Sequence, residues 1–439
     1  MNRSFSIGKS VSFITMGCAK NEVDTAHMAA KLAAHGYEVV DDPEAADAVI
    51  VNTCSFIQAA TEESIDAILE ASELGNVSQG KAALVVAGCL PARYGVEVEP
   101  EFPEAAAFVP CADEGDIVAR IDAVLGVERI GSLEAVVLPP HEAGSVSSYV
   151  KISDGCDRFC AYCMIPRIRG RYHSFTEDEI TREVDGLVTS GSREIVLIAQ
   201  DTGRWGDDIE GAGTLATLVS NLAERHADTW FRIMYIQPEG VTDELIEAFR
   251  THDNICSYFD IPFQHCNEEV LRRMNRKGCG SEYLALVKRI RERIPDAILR
   301  TTLIAGFPGE TEEQFDELCD FVQDIEFDYV GVFPYSQEMP TRAGELDGQI
   351  DEEVKVERAQ RIRDIADAVS SAVIAERIGS KADVLVCGTE EDGQVYGRAM
   401  SQAPDVDGVT FLYAGAPGQI VRCTIIDTMF YEMEGEVAS

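Results

Sequence analysis

Apolar and polar positions alternate in two distinct ways along the first 130 residues. Short apolar runs at 11–15, 37–40, 48–51 and 82–87 predict strands, and the stretches 21–35 and 59–71, with apolar residues three and four apart, predict helices. Strand and helix in alternation predict an open parallel α/β sheet. The stretch 131–146 (GSLEAVVLPPHEAGSV) has two prolines and no helical period, which marks a linker after a first domain at 1–130.

The pattern resumes at residue 147. Apolar runs at 149–152, 194–198, 231–236, 258–261, 299–304 and 329–333 are separated by charge-rich helical segments. Six such repeats are too few for a closed eight-fold barrel and suit an open one, assigned to 147–375. Thr176 with Glu179 and Thr311 with Gln314 fit capping boxes, and the charged run 351–376 predicts one long closing helix. From 376 to 439 the pattern changes to short strands (382–387, 394–399, 408–412, 420–427) between Gly, Pro and Asp turns, which predicts a small all-β, OB-like barrel.

Composition narrows the function classes. Lys and Arg number 37 against 77 Asp and Glu, a formal charge of −40, which excludes a generic cationic nucleic-acid binder. No run approaches the ~18 apolar residues of a membrane span, and the start reads straight into a strand, so a cytoplasmic location is expected. The 13 cysteines are an odd number, several of them closely spaced, which in a reducing compartment points to metal or redox chemistry rather than disulfides.

Cys156, Cys160 and Cys163 form a Cys-x3-Cys-x2-Cys motif just after the first barrel strand (ISDGCDRFCAYCMIPRIRG). Three soft thiolates on one loop can hold three irons of a cubane and leave the fourth open to a small molecule. A zinc knuckle is the competing reading, but it wants a fourth Cys or His close by, and His173 stands ten residues beyond Cys163. A second set is spread over the first domain: Cys18, Cys54 and Cys89 each follow a predicted strand, and the strand C-termini of a parallel sheet share one edge. Their convergence there means a second cluster with an open iron, with three buried core cysteines as the plain alternative. Cys111, Cys256, Cys266, Cys279, Cys319, Cys387 and Cys423 show no such pattern and read as packing residues, Cys266 the least clearly so.

The three-cysteine motif resembles that of the radical S-adenosylmethionine (SAM) superfamily. The resemblance implies that Cys156, Cys160 and Cys163 ligate a 4Fe-4S cluster, that SAM chelates its open iron, and that one electron cleaves SAM to a 5′-deoxyadenosyl radical. Segments at the other strand ends resemble the family's SAM contacts: Tyr162 within the motif, Gln200-Asp201, Gln237-Pro238, the run 303–310 (LIAGFPGE) with Ile304 and Gly306, and the run 332–335 with Phe333. Together with the three-cysteine α/β domain and the terminal barrel, a TRAM domain in this family, the whole chain resembles the methylthiotransferases. That implies Cys18, Cys54 and Cys89 as ligands of an auxiliary 4Fe-4S cluster, two uses of SAM (methyl donor and radical source), a flavodoxin or ferredoxin as electron donor, and a sulfur donor. No catalytic residue beyond the cluster ligands stands out.

Two branches of the family modify either tRNA adenosine or an aspartate of small-subunit ribosomal protein S12. Residues 376–439 hold four Lys or Arg against eleven Asp or Glu, a balance of −7 that repels RNA and attracts a basic protein. The segments SDGCDRFCAYCMIPRIRG, FDIPFQHCNEEVLRRMNRKG and IIDTMFYEMEGEV also resemble the ribosomal-protein branch. tRNA methylthiolation is the alternative, and a non-catalytic iron-sulfur or zinc protein the distant one. Relatives often carry Arg where Phe175 stands, so Arg169 or Arg171 is expected to take over its role. Gln264, His265 and Arg300 are candidates for gripping the substrate.

Overall fold

The structure, a computed structural model, describes residues 7–128 and 145–437, so the expected linker lies outside the described residues except for its last two. The chain divides into two compact units. The first comprises residues 1–140 with 154–157 and 163–172, the second residues 141–153, 158–162 and 173–439.

The first unit is built on β1 (Ser10–Thr15), β2 (Glu38–Val39), β3 (Ala48–Thr53), β4 (Ala83–Gly88) and β5 (Ala105–Pro110), all parallel, in the order β2-β1-β3-β4-β5. Strand side chains alternate between faces. Ala48, Ile50, Val85 and Ala87 pack with Met28 and Leu32 of the helix Ala19–Ala34 and with Ile117 and Ile121 of the helix Ile117–Leu125. Val49, Val51, Leu84 and Val86 face the other way, against Ile68 of the helix Gln58–Glu73 and Leu90. Both faces of β3 are covered, and all six of its residues are buried. The edge strand β5 is not predicted by its sequence AAAFVP, which has three alanines, one β-branched residue and a closing proline of the kind only an edge tolerates.

The second unit holds six parallel strands. Here β6 (Ser147–Lys151), β7 (Glu194–Ile198) and β8 (Trp230–Ile233) pair in the order β8-β7-β6. The strands β9 (Tyr258–Asp260), β10 (Ile298–Ala305) and β11 (Tyr329–Pro334) pair as β9-β10-β11, and a parallel bridge from Phe231 to Ile255 joins the two sets. Both expected capping boxes form, at the helices Glu177–Ser190 and Glu312–Ile325, and the long closing helix runs Glu352–Ala375. The C-terminal strands β12 (Lys381–Thr389), β13 (Val395–Ala399), β14 (Thr410–Leu412), β15 (Ile420–Met429) and β16 (Glu432–Val437) close into a barrel. Its fifth strand, β16, escapes prediction because three glutamates alternate with the buried Met433 and Gly435.

This small barrel is anchored on the early residues of the parallel strands. Glu194, fully buried at the start of β7, is gripped by Arg232 of β8 (Nε to Oε1, 2.9 Å) and Arg398 of β13 (Nη2 to Oε2, 2.7 Å). Tyr258, the first residue of β9, donates its hydroxyl to Asp407 (2.6 Å), whose carboxylate also faces Arg300 (3.8 Å). The strand N-terminal ends are thereby closed off, and the C-terminal ends carry the chemistry.

Candidate metal and cofactor sites

In the first unit the predicted thiols do meet at one sheet edge. Cys18 caps the helix that follows β1, Cys54 comes directly after β3, and Cys89 directly after β4. Gly17 stands at φ +93°, and a Cβ there would lie 2.5 Å from the Cβ and 2.9 Å from the Sγ of Cys54, so only glycine lets the Cys18 turn close on Cys54. Gly88, at φ +90°, likewise has no room for a side chain, since a Cβ would sit 2.2 Å from Asn52 Oδ1. The Cys89 sulfur lies 3.8 Å from Asn21 Oδ1, 3.9 Å from Arg169 Nη2 and 3.9 Å from the Cys111 sulfur. Hydrogen bonds from Cys111 and Cys54, helped by the Arg169 charge, hold Cys89 well below the ordinary thiol range. As donors to Cys89, the buried Cys54 and the half-buried Cys111 are pushed up. Cys111 is thus a direct neighbour of Cys89. It sits at the end of β5, the strand that the apolar pattern fails to mark.

Residues 154–157 and 163–172, which include Cys156, Cys163 and Arg169, belong with this first unit. Gly155 (φ +74°) lets its backbone press against Arg171, where a Cβ would lie 2.2 Å from the carbonyl oxygen, and Cys156 N donates to Gly170 O at 3.2 Å. Arg169 is almost fully buried and donates to Asp24 Oδ2 (2.6 Å) and Asn21 Oδ1 (2.7 Å). Arg171 is 76% exposed and pairs with Asp157. Phe175 packs against the apolar core of the second unit.

In the second unit Cys160 is held by a segment 116 residues away. Asn275 (φ +59°) donates to the carbonyls of Arg158 (3.1 Å) and Phe159 (3.0 Å), and Ala161 N donates to Met274 O (2.8 Å). Arg276 reaches Pro262 O (2.7 Å) and places Nη1 3.8 Å from the Cys160 sulfur. Arg158 grips the buried Asp201 beside Gln200 (Nε to Oδ2, 2.6 Å). Sequence spacing gives no hint of Arg276 or Asn275, because only folding brings them to the cysteine loop.

The remaining predicted SAM contacts lie at strand C-terminal ends. Gln237 follows β8, is buried, and has an Oε1 with no hydrogen-bond partner among the described residues, an arrangement that costs free energy unless a ligand donates to it. Gly306, at φ +77° after β10, donates its N–H to both carboxylate oxygens of Glu310 (3.1 Å each). Phe333 near the end of β11 is 52% exposed, and Tyr162 and Ile304 pack partly against the core. An orphaned buried acceptor, a glycine turn and an exposed aromatic at one end of a barrel fit an amino-acid nucleoside such as SAM. The soft thiolate donors suit iron-sulfur ligation, and among the described residues no group of three or more His, Cys, Asp or Glu is placed to hold a metal ion.

Two substrate-grip candidates have structural duties instead. Arg300 is buried against Asp260 (2.8 Å), and His265 is fully buried between Asn267 N (3.0 Å to Nδ1) and Glu310 (3.3 Å from Nε2). Gln264, at φ +70°, uses its backbone to extend the β10 ladder through Thr302 and Ile304. Cys256, Cys266 and Cys319 are buried packing thiols, pushed up by desolvation to about 11, about 12 and about 11.

Comparison with known proteins agrees with this geometry. Residues 150–322 match the radical SAM superfamily, residues 378–438 match the TRAM domain, and residues 10–110 match the uncharacterized protein family UPF0004, a match that stops one residue before Cys111. The solved radical SAM methyltransferase TsrM from Kitasatospora setae, with cobalamin and a 4Fe-4S cluster bound, shares the fold with a TM-score of 0.55 at 14% identity, over 76% of this chain and 74% of that one. The ribosomal protein uS12 methylthiotransferase RimO of Clostridioides difficile (strain 630) is 39% identical over 437 residues, covering 97% of this chain and 98% of its own. The RimO of Symbiobacterium thermophilum is 42% identical over 445 residues, covering 97% of this chain and 90% of its own. With full-length identity at this level and all three constituent domains in place, the chain belongs to the RimO branch of the radical SAM methylthiotransferase family.

Proposed function

We propose that this protein replaces a hydrogen on the β-carbon of an aspartate in ribosomal protein uS12 with a methylthio group, using one SAM as methyl donor and a second as radical source. The observation that carries this reading is the coexistence of two thiol sets in a chain that matches RimO proteins almost end to end. Cys156, Cys160 and Cys163 would hold one 4Fe-4S cluster, Cys18, Cys54 and Cys89 the other, and Tyr162, Gln200, Gln237, Ile304, Gly306 and Phe333 would hold SAM. When bound, these groups supply what no side chain can, a carbon radical that takes hydrogen from an unactivated C–H bond and a sulfur to fill its place.

The chain's own residues place, shield and orient. Gln237 Oε1, which lacks a partner among the described residues, would accept from SAM, the exposed Phe333 would offer it an apolar surface, and the Glu310 carboxylate holds the Gly306 turn. Arg276 offers an N–H toward Cys160 and keeps bulk water from that thiolate. Residues 1–130 would serve the sulfur, 147–375 the radical chemistry and 376–439 the substrate. On the C-terminal barrel, Glu390, Asp427, Glu432 and Glu434 line a groove beside the exposed Met429 and Phe430, a surface complementary to a basic protein. A flavodoxin or ferredoxin would supply electrons and a separate donor the sulfur. Thirteen cysteines and a ribosomal substrate suit the cytoplasm.

The test is anaerobic. The clusters are reconstituted, SAM and reductant are added, uS12 and bulk tRNA are offered side by side, and both are read by mass spectrometry. A methylthio group on an aspartate of uS12 is expected. The same group on tRNA adenosine would overturn the substrate assignment, and unchanged SAM would overturn the chemistry.

A further inference from the structure

Four thiols, not three, stand along the edge of the N-terminal sheet. In space the strands run β1, β3, β4, β5, and each delivers one cysteine at its C-terminal end: Cys18, Cys54, Cys89 and Cys111. Gly88 and Pro110 are paired in the β4–β5 ladder, so Cys89 and Cys111 are the next residues out on adjacent strands, and their sulfurs lie 3.9 Å apart. Cys111 shares an apolar pocket with Cys89, Met164 and Ile168, and Asn21 and Arg169 supply polar contacts on the Cys89 side.

We propose that Cys111 is a displaceable fourth ligand of the auxiliary cluster, closing its open iron between turnovers and yielding it to the incoming sulfur. The proposal rests on the reading that Cys18, Cys54 and Cys89 hold that cluster. A cubane held by only three thiolates leaves its fourth iron exposed to water and to loss, and a neighbouring thiolate is a soft donor that would protect it. Cys111 differs from the other three in its place on an edge strand. In the exchange, the incoming thiolate's iron–sulfur bond forms as that of Cys111 breaks. No electron changes hands, and the released Cys111 thiolate takes up one proton from solvent.

The experiment uses the full chain with Cys156, Cys160 and Cys163 changed to Ala, so that only the auxiliary cluster is loaded, with and without Cys111→Ser, and with Cys111→Ala as a second version. Methanethiolate is titrated in and the electron paramagnetic resonance of the reduced cluster is followed, while Cys111 is probed by iodoacetamide and peptide mass spectrometry. If Cys111 occupies the iron about nine-tenths of the time, its removal lowers the methanethiolate concentration at half-change about tenfold. Iodoacetamide then labels Cys111 in the loaded protein only once methanethiolate is added. Coincident titrations in all three proteins would overturn the proposal and leave the three-cysteine reading standing. Loss of iron on Cys111→Ser and Cys111→Ala, with circular dichroism unchanged, would overturn it in the other direction, by making Cys111 an obligatory ligand. A protein with Cys111 intact that retains no cubane's worth of iron would overturn the three-cysteine reading along with it.

Discussion

At the scale of single residues, the two cysteine sets predict separable defects. Cys160→Ala is expected to abolish 5′-deoxyadenosine formation, whereas Cys54→Ala keeps SAM cleavage and loses methylthiolation. Chromatography of the nucleoside and mass spectrometry of uS12 on the same sample check both, and methylthiolated uS12 from Cys54→Ala would refute the division. Gly17→Ala tests the packing beneath the auxiliary thiols. A Cβ 2.5 Å from that of Cys54, at φ +93°, must push the Cys18 turn away, so the purified protein should keep close to one cluster's iron instead of two. The cysteines at strand ends were legible in the sequence because a thiol after an apolar run is a local pattern. Arg276, Asn275 and Cys111 were not legible, since their meaning depends on neighbours that are close only in space.

At the scale of elements, buried charge decides how the small barrel holds on. Against the penalty of burial, Arg398 and Arg232 keep Glu194 ionised, with its carboxyl lowered to about 2. Its contribution is present above the ordinary value near 4.5 and is lost as pH falls from there toward 2. Glu194→Gln strands two buried guanidinium groups and should cost about 3–5 kcal/mol in urea unfolding. Asp407 behaves in the opposite sense. Burial raises it to about 6, so its contribution is full below about 3.8 and fades as pH climbs through 6. Asp407→Asn should therefore flatten the stability profile between about pH 4 and pH 6, measured as urea midpoints across that range. A local device is worth less: Thr311→Ala removes the capping box of Glu312–Ile325 for about 1 kcal/mol.

At the scale of the whole molecule, charge and topology divide the work. A net −40 favours encounter with a basic ribosomal protein, and the attraction is screened by salt. Raising salt from ~0.1 M to ~1 M shortens the screening length from about 10 Å to about 3 Å, so the on-rate for uS12 in stopped flow should fall steeply. The triple change Asp427→Asn, Glu432→Gln, Glu434→Gln should remove part of that dependence, and an unchanged salt slope would detach the barrel groove from recognition. Short apolar runs and capping boxes marked most strands and both capped helix starts from sequence alone, because both are local features of the chain. Among the missed strands, β5 and β16 lack that signal: one is alanine-rich and ends in proline, the other alternates with glutamate. The sequence by itself marked the succession of an open parallel sheet, an incomplete parallel barrel and a small β-barrel, and the cysteines that follow their strands. Only the tertiary structure decided that a fourth thiol joins the sheet edge, that Arg276 meets Cys160, and that Arg300 and His265 serve the scaffold, because pairing across tens of residues is set by burial and strand order, which no short stretch of chain encodes.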